Sequence, residues 1–74
     1  MTLKDEADRV AAALKTAADS RKALNQPPRK GEIHPAIVVG NKAIEIHMPW
    51  TMINDSSVDQ ISEHIMSVLH KETK

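Results

Sequence analysis

The chain has 74 residues, no cysteine, a formal net charge of zero and one aromatic residue, Trp50. This bounds it to one small domain, excludes disulfides and thiolate metal sites, and argues against a globally basic nucleic-acid binder or an acidic DNA mimic. No apolar run approaches the roughly 18 residues needed to cross a bilayer, and MTLKDEADRV lacks a signal-peptide core. A soluble cytoplasmic protein without membrane contact is therefore expected. The hydrophobic fraction of 41% leans on alanine, which buries little area. A core this small is marginal, and without a disulfide staple self-association into a homodimer or larger oligomer is expected.

Residues 2–24 read as a helix. Thr2 with Asp5 three residues on makes a capping box. Asp5, Glu6 and Asp8 near the start, and Arg21 and Lys22 near the end, suit the helix dipole. Leu3, Ala7, Val10, Leu14, Ala17, Arg21 and Leu24 follow three- and four-residue steps. This narrow stripe of small residues suits either close approach of another helix or a helix laid on a small core.

Residues 25–32, NQPPRKGE, are a linker. Pro27 and Pro28 disfavour helix and stiffen the chain, and Gly31 loosens it.

Residues 33–48, IHPAIVVGNKAIEIHM, have a period of two. Gly40-Asn41 fits a two-residue type II′ hairpin turn. That turn opposes Ile33 to Met48, Pro35 to Ile46, Ile37 to Ile44 and Val39 to Lys42 on one apolar face. His34 opposes His47, Ala36 opposes Glu45 and Val38 opposes Ala43 on the other. A one-residue slip would swap faces, so the register is specified. Pro35 cannot donate to the ladder, so pairing weakens there.

Residues 49–55, PWTMIND, read as a turn. Ser56 or Ser57 then caps a second helix over residues 56–71, since Ser57 with Gln60 and Ser56 with Asp59 both fit a capping box. Val58, Ile61, Ile65, Val68 and Leu69 form its apolar stripe, and the KETK tail is expected to fray. No internal repeat is read.

The fold class is α+β: a small α-β-β-α domain with two helices packed on an antiparallel hairpin. A lone hairpin is marginal in water, so dimerisation is expected to extend it into a larger sheet and remove open edges. This order, with the serine-capped SSVDQISEHI helix start, resembles in architecture the small phage head–tail joining proteins.

Four groups of residues carry candidate chemistry. Opposed His34 and His47 with Glu45 on the same face form a metal candidate. The reading preferred from the sequence is nevertheless the solvated side of the hairpin with no metal, ahead of the metal site and of mutual repulsion between two protonated rings. His64 and His70, six apart, share no helical face and read as surface. Arg21, Lys22, Arg29, Lys30 and Lys42 against Glu32 make the middle stretch about plus four, which suits phosphate contacts. No aromatic residue lies among them for base stacking, and a solvated charged face is the commoner explanation. Trp50, with Met48 and Met52, is either a partner-contacting anchor or the closure of one end of the core. No glycine-rich phosphate loop, cysteine nucleophile or paired acids point to catalysis.

The sequence thus supports a small non-catalytic protein-interaction module without a cofactor: an inhibitor, adaptor or assembly factor acting as an oligomer. Compact cysteine-free chains of this kind are frequent among phage and mobile-element accessory proteins. Trp50, Met48 and Met52 are its expected contact residues. The alternative is a nucleic-acid-binding regulator using the basic linker and hairpin tip.

Overall fold

The computed structural model describes residues 2–72. The chain runs α1 (Leu3–Ala23), β1 (Glu32–Ile33), β2 (Ala36–Val39), β3 (Lys42–Glu45), β4 (Met48–Pro49), α2 (Trp50–Asp55) and α3 (Val58–Glu72). It is a small α+β domain in which helices cover one face of a hairpin. Lys71 and Glu72 of the tail are helical, and Thr73 and Lys74 lie outside the described residues.

Both ends of α1 are closed by its own sequence. Thr2 accepts from the Asp5 N–H, and the Asp5 carboxylate accepts from the Thr2 N–H, completing the capping box. At the other end Asn25 adopts φ +56°, the left-handed conformation that asparagine tolerates. The Asn25 N–H donates to the Lys22 carbonyl and the Gln26 N–H to the Arg21 carbonyl at 2.9 Å. This is a Schellman closure, so α1 stops before the prolines act. Leu24 falls beyond the last turn and is 68% exposed, which removes it from the expected core.

The hairpin has the expected register throughout. Glu32 opposes Pro49 and Ile33 opposes Met48. Ala36 opposes Glu45, Ile37 Ile44, Val38 Ala43 and Val39 Lys42. Gly40 has φ +65° while Asn41 is not left-handed, as a type II′ turn requires. The ladder is broken between Ile33 and Ala36 on one strand and between Glu45 and Met48 on the other. Proline explains the break: the Ile46 N–H still donates to the Pro35 carbonyl at 2.9 Å, but Pro35 has no N–H to return.

The inner face of the hairpin is covered by this chain's own helices. Ile37, Ile44, Ile46 and Met48 join Trp50, Ile53, Ile61, Ile65 and Leu69 in one core, with Ala7, Ala11 and Ala18 of α1 closing it. Residues 49–55 are not a turn: α2 occupies Trp50–Asp55. Its start is fixed by the Trp50 N–H, which donates to the Gly31 carbonyl. Its end is held by Lys15, whose Nζ donates to the carbonyls of Ile53 and Asn54 at 3.3 and 3.1 Å. A cation at these unpaired carbonyls is favourable both as donor and against the helix dipole. The start of α3 has the expected box, with the Gln60 N–H donating to Ser57 Oγ and the Ser57 N–H to Gln60 Oε1.

α1 and α3 form the most extensive helix contact, and they run antiparallel, since Asp8 meets Ser62 while Lys15, two turns further along α1, meets Ile53 and Asn54 ahead of α3. Between them the buried Ser62 hydroxyl donates to Asp8 Oδ1. That hydrogen bond is the main cause holding the Asp8 carboxyl below its ordinary pKa; partial desolvation works the other way and Lys4 adds to the lowering. A carboxyl lowered on folding stabilises the fold above its unfolded pKa, about 3.9, and loses that contribution as pH falls through the folded value. Wild type is therefore expected to lose more melting temperature between pH 6 and pH 3 than Ser62→Ala does. Equal losses in thermal melts of the two proteins would show that the bond is not linked to folding.

Candidate functional site

The broken segment of the ladder places two histidines together. Pro35 and Ile46 form a hydrogen-bonded position, so by antiparallel alternation His34 and His47 form a non-hydrogen-bonded pair, the type with the closer side chains. Their ring centroids are 4.3 Å apart, tilted by 51°. Ile33 and Ile46 turn toward the core, Ile46 completely. The period of two then sends Glu32, His34, Glu45 and His47 to the outer face.

Each histidine has a carboxylate from its own strand. His34 Nε2 lies 3.7 Å from Glu32 Oε1, and His47 Nε2 lies 3.3 Å from Glu45 Oε1. Ligand atoms of Glu32, His34 and His47 all lie within 4.8 Å of one another. All four side chains are about half exposed. Exposed pairs of this kind contribute little to stability, so the fold does not require the arrangement.

Sequence reasoning named His34, His47 and Glu45 but missed Glu32, which it placed in the linker. The signal was present. The tripeptide Glu-Ile-His occurs twice, at 32–34 and 45–47. Antiparallel pairing sets the two copies head to tail around the histidine pair.

The other candidates are placed differently. Met48 is fully enclosed and Trp50 is 9% exposed, both in the core, while Met52 packs partly buried against it. Met48 therefore offers no surface to a partner in this fold. Arg29 carries its guanidinium 5.3 Å from the Trp50 ring centroid, within cation–π range.

The basic residues do not form one patch. Arg21 donates to the Pro27 carbonyl at 3.4 Å. Lys22 lies beside the acids Asp19 and Asp55, and Arg29 and Lys30 beside Asp55, near the end of α2. Lys42 instead reaches the Glu72 carbonyl at the far end of α3. α1 runs antiparallel to α3, so its full length of about 30 Å lies between these two groups. His64 and His70 are not among the residues brought together.

No helix of the described chain is long and apolar enough to cross a membrane. The architecture defines the chain as a small α+β domain built on a two-stranded ribbon. No family model, curated protein or solved structure matches it.

Proposed function

We propose that the protein is a small non-catalytic interaction module, working as an oligomer in the cytoplasm and engaging another protein as an inhibitor, adaptor or assembly factor. The observation that carries this reading is the open ribbon. β2 and β3 pair only with each other among the described strands, which leaves an unpaired backbone edge on each. The outer face beside those edges is apolar at Ala36, Val38 and Ala43, and Val38 is 66% exposed.

An unpaired edge is a template for a strand from another chain, and strand addition is a recurring mode of recognition. Ala36, Val38, Ala43 and Glu45 occupy non-hydrogen-bonded positions, so their N–H and C=O groups point away from the hairpin. The first occupant in this reading is a second copy, giving a four-stranded sheet across the dimer. The helices already cover the inner face, so assembly adds strands without rearranging the core. The accessory proteins of phages and mobile elements include many modules of this size and kind.

The test is molar mass by light scattering after size exclusion, over a wide concentration range. The expected mass is twice the 8.2 kDa of one chain. Proline at Val38 or Ala43 removes an outward N–H without removing a bond of the hairpin itself. One of Val38→Pro and Ala43→Pro is expected to return the mass to that of one chain while far-UV circular dichroism stays unchanged. A constant single-chain mass for the unmodified protein would remove the oligomer from this reading.

A further inference from the structure

We propose that the two Glu-Ile-His segments form a zinc-binding site on the outer face of the hairpin, with His34 and His47 as nitrogen ligands and Glu32 and Glu45 as oxygen ligands. This goes beyond the interaction reading and does not depend on it. Two imidazoles select borderline divalent transition metals over calcium and magnesium, which prefer oxygen donors.

Three of the four donors already lie close to the spacing the ion needs. Zinc binds histidine nitrogen and carboxylate oxygen at about 2.0–2.2 Å in a tetrahedron, which sets neighbouring ligand atoms roughly 3.3–3.6 Å apart. The His47–Glu45 separation of 3.3 Å matches that spacing, and the His34–Glu32 separation of 3.7 Å lies just beyond it. The widest separation in the Glu32, His34 and His47 group, up to 4.8 Å, closes by rotation of half-exposed side chains; Glu45 lies outside that group, beside His47, and joins as the fourth ligand only by turning its exposed side chain toward the ion. No buried group has to move.

The backbone supplies the preorganisation. The two histidines oppose each other at a non-hydrogen-bonded position, and the isoleucine between Glu and His in each segment holds its strand from the core side. A hairpin has a local two-fold relation between its strands, and the repeated tripeptide uses it to deliver an identical pair of donors from each. The metal would bridge the strands where Pro35 has interrupted the ladder. Zinc would then clamp the hairpin at its weakest point, and bound zinc is expected to raise the melting temperature.

The test is calorimetric titration of zinc sulfate into the chelator-treated full chain, in a buffer that does not bind metal. One zinc per chain is expected. His34→Ala and His47→Ala are each expected to weaken binding by at least about tenfold. Glu32→Gln and Glu45→Gln should weaken it by smaller factors, and His64→Ala and His70→Ala should leave it unchanged. Cobalt(II) should give the intense visible d–d bands of a tetrahedral site, lost on adding zinc. If a histidine variant fails to fold, imidazole NMR shifts of the unmodified protein decide, since zinc should move His34 and His47 together. Absence of binding at micromolar zinc overturns the proposal. So do one zinc per two chains, or shifts confined to His64 and His70.

Discussion

Trp50→Ala is expected to abolish cooperative folding. The indole is 9% exposed and belongs to the core, and it sits where the hairpin ends and α2 begins. Its loss removes three kinds of support together. The ring leaves a cavity among aliphatic side chains, and truncating a large buried aromatic to alanine costs about 3–5 kcal/mol. The Arg29 guanidinium loses its ring partner, worth about 0.5–1 kcal/mol at an exposed site. The first turn of α2, tied to Gly31 through the Trp50 N–H, loses the side chain that anchors it. A 74-residue domain has a total stability of about 4–11 kcal/mol at roughly 0.05–0.15 kcal/mol per residue. The expected cost is comparable with the whole.

Urea titration followed by far-UV circular dichroism checks this, with Trp50→Phe as the control that keeps most of the ring. The expected result is a lost or sharply lowered transition for alanine and a retained one for phenylalanine. Trp50 is the only tryptophan, so a blue-shifted emission that moves red on unfolding is a second readout. A variant that stays folded with an unchanged midpoint, but fails to capture a partner, would assign the ring to an interface instead.

How much could be read from the chain differs by element, and the differences have causes. The hairpin was legible because period two, a Gly-Asn turn and a proline on one strand constrain the same register independently. The helix starts were legible because Thr2 with Asp5 and Ser57 with Gln60 are local bonds between residues three apart. α2 was not legible. Its six residues carry no side-chain cap at the start, and its end depends on Lys15, 38 positions away. A short segment stabilised from a distance has no local signature. The end of α1 falls where the sequence places it, to within the cap residue Leu24, but by a different device. Asn25, not the prolines, makes the closure, and it leaves the Leu24 side chain outside the core. Trp50 had two readings because its burial depends on Ile53 and α2, which the sequence did not reveal. At the candidate site, the histidine pair followed from the register. Glu32 follows from the same register extended by one residue, since it opposes Pro49.

The second large effect is expected at Ile65. This side chain is completely enclosed on α3, in the stripe that includes Ile61 and Leu69. Across from that stripe the enclosed residues of α1 are Ala7, Ala11 and Ala18. Truncating a buried isoleucine to alanine costs about 2–5 kcal/mol, and the cost depends on how well the surroundings collapse into the space. Here they collapse poorly. Alanine has no side-chain torsion with which to reach into a cavity, and the capping box and Schellman motif fix the ends of α1. The Lys15 bonds to the end of α2 and the Ser62 bond to Asp8 also hold the helices at their present separation. Ile65→Ala is therefore expected near the upper end of that range. Ile65→Val, which removes one methylene, is expected to cost about 0.5–1.5 kcal/mol. Ala11→Leu tests the same contact from the other side: an added isopropyl group must push the helices apart, at about 1–3 kcal/mol. If the two variants are combined, leucine at 11 can occupy the space left at 65 when the positions face each other. The double variant would then be more stable than Ile65→Ala alone. Strict additivity of the two losses would show that each helix is packed against different neighbours. Denaturant midpoints of the four proteins decide between these outcomes.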